Sequence, residues 1–338
     1  MSTVADFGEF GLIARLTEEL AVRADVLLGV GDDAAILDVG NATEVLVATC
    51  DAQVEGTHFR LGYATPEEIG QRALAVNVSD IAAMGAAPRF ALISLLVPPT
   101  LEVALLDGIY AGLRQAAAHY GVAIVGGNVA QMAERLVLDV TLLGIGIRDR
   151  LLRRDGAQPG NVLMVTGTLG SAATGLRLLL DAALRARVAP EVAAPLVAAQ
   201  RTPTAQVAAG QWLAQHGATA ALDISDGLAG DLAHLCAASK VGAVVDVDAL
   251  PLLRETRIIA EILGCVATDF ALWGGEDYEL LFTIPADQAT QCAADLLAAT
   301  GTPATAIGTI QADPTLWQRQ AGQAQPLAAV GWDHLRTD

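Results

Sequence analysis

The 338-residue chain carries 38 acidic against 20 basic side chains, a net charge of -18, and a single lysine, Lys240. That balance excludes a surface built for nucleic acid or anionic membrane. It also excludes phosphate chemistry organised on lysine: neither a Walker A loop nor a lysine-centred kinase motif occurs, so metal ions, arginine and backbone N–H groups would have to carry the positive charge. Although 53% of the residues are hydrophobic, no apolar run approaches the ~18 residues of a spanning helix. The opening MSTVADFGEFGLI lacks the basic region and long apolar stretch of a signal peptide, so a cytoplasmic enzyme is the expectation. Cys50, Cys236, Cys265 and Cys292 form no C-x-x-C pair and read mostly as small core residues.

In chain order, FGEFGLIARL reads as a short strand or turn entering a helix. VLLGVGDDAAILDV is strand, glycine turn, strand, and VLVATCDAQVEGTHF is another strand with a polar exit. PEEIGQRALAVNVSDIAAMGA opens with Pro66, Glu67 and Glu68, which suit a first helical turn and its dipole. The strand FALISLLVPP, the helix LEVALLDGIYAGLRQAAAHYG and the strands AIVGG and LVLDVTLLGIGI follow. The turn-rich RDRLLRRDGAQPGNVL marks a boundary, giving domains 1–148 and 149–338. Beyond it come VLMVTGTLG, two helical stretches broken at Pro203, then ALDISDGLAGDL, WGGEDYELLFTIP and AIGTI. Each half mixes strands with about two long helices, which predicts two α/β domains.

Aspartates recur at predicted strand exits beside Gly, Ser or Asn: Asp32, Asp33, Asp51, Asp223 and Asp226. Each taken alone reads as a turn residue or a helix cap. Asp80 differs, because it interrupts the apolar helical run LAVNVSDIAAMG, where an unpaired carboxylate is costly to bury. A metal ion satisfies such a group; a buried arginine or helix N-termini would also serve. Loop carboxylates that converge only in the fold match what Mg²⁺ requires. The glycine sets at Gly29–Gly31, Gly126–Gly127, Gly167–Gly170 and Gly274–Gly275 permit close backbone approach to a ligand, and none fits a dinucleotide-binding fingerprint. His58 reads either as a packed strand residue or, beside Glu55 and Gly56, as ligand-facing.

Taken together, FGEFGLI, GVGDDAAIL, TCDAQVEGTHF, ALAVNVSDIAAMGAAP, RRDGAQPGNVLMVTGTLG, DISDGLAGDL and WGGEDYELLFT resemble the thiamine-monophosphate kinase family. That family lies within the superfamily of aminoimidazole ribonucleotide synthetase and selenophosphate synthetase. The resemblance runs from Gly8 to His334, and VEGTHF with GGEDYEL is specific to the kinase branch. It implies two α/β domains of the aminoimidazole ribonucleotide synthetase type, the N-terminal domain pairing in a homodimer through a shared barrel-like sheet. It implies ATP-dependent conversion of thiamine monophosphate to thiamine diphosphate, the last step of thiamine diphosphate biosynthesis, by direct in-line transfer among several Mg²⁺ ions.

Matched by position, Asp33, Asp51, Asp80 and Asp223 resemble the catalytic metal ligands, with Thr49 and Cys50 contributing beside them and Asp226 a further ligand on the ATP side. Gly127, Asn128, Arg154 and Ser225 correspond to nucleotide and metal contacts. His58, Glu276 and Trp332 correspond to contacts with thiamine monophosphate. Two departures stand out: Cys50 replaces the family's usual Thr, and Asn128 replaces the Asp of GGDT, keeping a ligand oxygen while losing a charge. The second leaves open a nucleotide-binding homologue without turnover. A superfamily enzyme with another acceptor is the remaining alternative, against which VEGTHF and GGEDYEL argue.

Overall fold

The computed structural model describes residues 4–20, 23–329 and 331–332. The first half supplies α1 (Val4–Thr17), β1 (Val26–Leu28), β2 (Ala35–Leu37), β3 (Glu44–Val54), α2 (Pro66–Ala83), β4 (Ala87–Val97), α3 (Val103–Tyr120), β5 (Ala123–Gln131) and β6 (Val137–Ile147). Its strands form a six-stranded mixed sheet in the order β1-β2-β3-β6-β4-β5, with only β4 and β5 parallel.

The second half contributes β7 (Val162–Thr166), α4 (Ser171–Leu180), α5 (Ala182–Arg185), α6 (Pro190–Arg201), α7 (Val207–Leu213), β8 (Ala220–Asp223) and α8 (Leu228–Ser239). β9 (Gly242–Asp246), α9 (Arg254–Leu263), α10 (Ala267–Trp273), β10 (Leu280–Ile284), α11 (Ala289–Thr300), β11 (Ala304–Gln311), β12 (Leu316–Gln320) and β13 (Gln323–Pro326) complete it. The seven-stranded sheet has the order β13-β12-β9-β11-β7-β10-β8. This half is richer in helix than its sequence pattern predicted, because its short alanine-rich segments pack as separate helices.

Helix α2 is the element that positions the site. Thr65 caps it: its hydroxyl accepts from Glu68 N while the Glu68 carboxylate accepts from Thr65 N, and Pro66 opens the first turn. The helix is buried on almost every side, which explains why its apolar residues are not confined to one stripe. It crosses α3 at backbone contact distance. A Cβ added at Gly112 would lie 1.9 Å from the Glu67 carbonyl oxygen, and one added at Gly70 would lie 1.9 Å from that of Ile109. Its C-terminal end reaches the second half, where Ala83 joins the cluster around Met164, Leu213 and Phe282.

In the first sheet, β6 alternates strictly: Leu138, Val140 and Leu142 are fully buried beneath the helices, while the intervening residues lie on the opposite face. That opposite face is largely uncovered, with Phe90 and Leu92 of β4 at 45% and 40% exposure.

Three expectations are corrected. FGEFGLI is not a strand or turn entering a helix: it lies within the helix Val4–Thr17, which is interrupted at Gly8, whose φ of 66° is left-handed. Asp51 lies inside β3, not at a strand exit. Cys236 and Cys292 are buried, whereas Cys50 and Cys265 are exposed.

Candidate active site

Asp33, in the turn between β1 and β2, Asp80, in the last turn of α2, and Asp223, at the end of β8, each present one oxygen within 4.8 Å of the others. Their partners come from all around. Ser79 Oγ donates to Asp223 Oδ2 at 2.5 Å, and Thr49 Oγ1 donates to Asp80 Oδ2 at 2.5 Å. Arg154 Nη2 donates to Asp33 Oδ1, while Arg154 N donates to Asp32 Oδ2 at 3.1 Å. Asp32 also accepts from Asp33 N, so it shapes the turn and steers Arg154. Asp33 Oδ2 is buried without a partner.

Burial pushes Asp33 up to about 8, against the pull of Arg154 and with the help of Asp223 and Asp32. Burial likewise holds Asp80 well above the ordinary carboxylate range, reinforced by the charges of Asp51, Asp223 and Asp33. Asp223 is raised by burial despite the Ser79 hydrogen bond. Three carboxylates this close and this dry cannot all stay ionised unless a cation joins them. The all-oxygen donor set and the unsatisfied Asp33 oxygen fit a hard divalent ion such as Mg²⁺.

Strand parity sorts the residues of β3. Thr49, Asp51 and Gln53 face α2, so Thr49 reaches Asp80 and Gln53 reaches Arg72, while Asp51 N donates to Asn77 Oδ1 at 2.9 Å. Cys50 points to the other face, where Sγ donates to Asp139 Oδ1 at 3.1 Å. The Cys50 side chain therefore does not join the carboxylates; its backbone alone shares their strand.

Gly127 and Asn128 are not brought to the cluster either. They lie on edge strand β5, and β6 and β4 separate it from β3, a gap of roughly 14 Å at ordinary strand spacing. Within this chain Gly127 answers a packing need: a Cβ there would lie 1.8 Å from the Ile93 carbonyl oxygen.

Next to the cluster opens a cavity of about 340 Å³, lined from both halves by Glu9, Asp51, Thr57, His58, Ser225, Asp226, Trp273, Glu276, Tyr278 and Trp332, among others. His58 Nδ1 accepts from Val54 N at 3.0 Å, which leaves the proton of a neutral ring on Nε2. Burial raises Asp226 to about 7, with Glu9, Asp223 and Asp51 adding to it. Helix α8 starts at Leu228 with Gly227 at the cap position and no side-chain cap, so Asp226 is not serving as a helix cap. Asp226 O accepts from Trp332 N at 3.1 Å, which holds the aromatic at the cavity mouth.

The segments ISDG and GGEDY run side by side. Glu276 N donates to Ser225 O at 2.7 Å, and a Cβ on Gly275 would lie 2.2 Å from that same oxygen. Glu276, with φ 70°, forms an ion pair with Arg72 and accepts from Gln200 Nε2 at 3.3 Å. Asp277 accepts from Gly170 N at 2.7 Å and Ala172 N at 3.3 Å. The N-terminus of α4 is thus occupied by a carboxylate of the chain itself, and the Gly167–Gly170 turn is not an open anion cradle.

Sequence reasoning missed Arg72, Ser79, Gln53, Trp273 and Tyr278. Arg72 carried a usable signal, being a charge two residues before the apolar run that drew attention to Asp80, within the same predicted helix.

Residues 31–147 match the N-terminal domain of AIR synthase related proteins, and residues 158–316 match the C-terminal domain of that group. The chain thus has two α/β domains of the AIR synthase type, each built on a mixed sheet. A thiamine-monophosphate kinase of Salmonella typhimurium is 39% identical over 338 residues, 98% of this chain and 99% of that protein. A thiamine-monophosphate kinase of Aquifex aeolicus is 36% identical over 283 residues, 84% of this chain and 88% of the relative. Among solved structures, AaThiL complexed with AMPPCP and TMP superposes with a TM-score of 0.86 at 33% identity, covering 99% of both chains. The chain belongs to the thiamine-monophosphate kinase family.

Proposed function

We propose that this protein transfers the γ-phosphoryl group of ATP to thiamine monophosphate, releasing ADP and thiamine diphosphate in the last step of thiamine diphosphate biosynthesis. The observation that carries this reading is the convergence of Asp33, Asp80 and Asp223 beside a cavity that combines aromatic and acidic walls. Family membership supports it, as does the likeness to a relative solved with both AMPPCP and TMP.

Asp33, Asp51, Asp80 and Asp223 would hold Mg²⁺, with Thr49 O or Oγ1, the Cys50 backbone and Asp226 beside them. The ions supply charge neutralisation, so that two anionic phosphate groups can approach in line. The acceptor oxygen is already anionic and needs no strong base. Arg154, Ser225 and Asp226 line the nucleotide side. Arg154 pairs with Asp33 in this structure and would be a source of positive charge for the ATP phosphates where cations balance that carboxylate. His58, Glu276 and Trp332 bind thiamine monophosphate; Trp332 offers a π face, which suits a cationic thiazolium or a flat pyrimidine.

The uncovered face of the first sheet, with Phe90 and Leu92, is the surface through which two copies would pair into a shared barrel-like sheet. Pairing gives Gly127 and Asn128 a route to a site, since β5 lies too far from the cluster in its own chain. The domain division at 148/149 is supported by the two sheets, which end and begin at Ile147 and Val162. A cytoplasmic location is proposed with this activity, because ATP is the co-substrate. Among the described residues no helix is long and apolar enough to cross a membrane.

The test is release of ADP from ATP and Mg²⁺, with and without thiamine monophosphate, the thiamine product being followed in parallel. ADP and thiamine diphosphate should appear together and only with both substrates present. ATP binding without turnover would favour the non-catalytic homologue, and turnover with another phosphorylated acceptor the superfamily alternative.

A further inference from the structure

Arg72 stands on α2 eight residues before Asp80, and its side chain is 3% exposed. Every arm of its guanidinium is used. Nε donates to Gln53 Oε1 at 3.1 Å, Nη1 to the Gln200 carbonyl at 2.5 Å and Nη2 to Glu276 Oε1, while the group lies 5.9 Å from the Tyr278 ring centroid. It therefore ties β3, the end of α6 and the GGEDY segment to a single helix. That segment needs tying: Glu276 and Tyr278 both have positive φ, 70° and 52°, a region that side-chain-bearing residues avoid unless tertiary contacts impose it.

Gln53, Glu276 and Tyr278 all line the cavity beside His58 and Trp332. Arg72 and Gln200 hold one carboxylate oxygen each of Glu276. The carboxylate plane is thereby fixed, and its remaining lone pairs can accept from N–H donors of a bound ligand. A lysine in place of Arg72 would keep the charge but could not reproduce the planar fork. The same helix carries Asp80 about 12 Å further along its axis, so α2 spaces this wall of the cavity from the carboxylate cluster.

We propose that Arg72 is a positioning residue for the phosphate acceptor: it orients Glu276 and the GGEDY segment, and through them sets the affinity for thiamine monophosphate and not for ATP. This rests on the kinase reading above. The test is steady-state kinetics of the full-length protein with Mg²⁺, varying each substrate in turn.

Arg72→Met should raise KM for thiamine monophosphate about tenfold or more, with Arg72→Lys between it and the wild type and KM for ATP within about twofold in both. An unchanged acceptor KM, or an equal rise in both KM values, would overturn the inference. If Arg72→Met does not fold, Gln200→Met decides, because it leaves the ion pair and removes only the second hold on Glu276. It should raise the acceptor KM about threefold with KM for ATP unmoved, and no rise would overturn the inference. A wild-type protein that forms no thiamine diphosphate would overturn the kinase reading and this inference together. An active wild type whose Arg72 variants keep the acceptor KM would overturn only the inference.

Discussion

Arg154 and Asp33, 121 positions apart in the sequence, form an ion pair at the carboxylate cluster. Arg154 stands in the segment between the two sheets, which end and begin at Ile147 and Val162, and Asp33 in the first turn of the first sheet, so the pair ties that connecting segment to the cluster. Replacing Asp33 by Asn keeps an oxygen for Arg154 but removes the charge proposed to bind Mg²⁺. We expect Asp33→Asn to lower kcat about 100-fold or more while the melting temperature stays within a few degrees of wild type. Full activity in this variant would remove Asp33 from the metal site.

A cation at the cluster should be visible as stability. Binding to the folded state alone raises the melting temperature, and saturating Mg²⁺ should raise that of the wild type by about 5 °C over EDTA. Asp80→Asn keeps an acceptor for the Thr49 hydroxyl and relieves repulsion among buried carboxylates. Its melting temperature in EDTA should equal or exceed that of the wild type, and its response to Mg²⁺ should be lost. A variant that responds as the wild type does would move the ion elsewhere.

Asp277 makes a pH dependence that metal binding does not. Burial pushes it up to about 8 from an ordinary 3.8, while the Gly170 and Ala172 amides pull the other way. Between those values the folded chain holds a proton that the unfolded chain has released. Stability therefore falls as pH rises from about 4 towards 8, and levels off above that. Glu279, raised to about 7 chiefly by burial, adds in the same direction. Melting in EDTA from pH 5 to 9 should show a decline that is shallower in Asp277→Asn. Equal slopes would show that Asp277 does not titrate there.

Close helix contact gives a prediction about packing. At Gly112 a methyl group would meet the Glu67 carbonyl, which is backbone and cannot turn aside. Gly112→Ala should cost about 2 kcal/mol or more in urea unfolding. It should also lower activity, because displacement of α2 moves Asp80 and Arg72. A neutral substitution would mean that α2 and α3 sit further apart than described.

Pairing through the uncovered sheet predicts a species near twice 34.8 kDa for the wild type in light scattering. Leu92→Glu places a charge on that face and should give monomers with little kinase activity. A wild type that scatters as a monomer would exclude the shared sheet.

The unusual placement of the carboxylates was legible in the sequence, because their local cost is written there. A charge within an apolar helix, as at Asp80, and aspartates set among glycines, as at Asp33 and Asp226, are expensive or conformationally specific wherever they fall. The order of strands and helices from β1 to β6 was equally legible from apolar periodicity, and the capped start of α2 from Pro66 and its acidic neighbours. What the tertiary structure decided was which of these groups meet. Strand parity turned Cys50 away from Thr49 and Asp51, and strand order left Gly127 and Asn128 on an edge three strands from β3. Asp277 took the N-terminus of α4, beside the Gly167–Gly170 turn whose glycines would admit a ligand. Arg72 acquired its role only through partners from β3, α6 and the GGEDY segment. Propensity and burial cost act over a few residues and can be read along the chain. Convergence depends on contacts across more than a hundred residues, which only the packed fold determines.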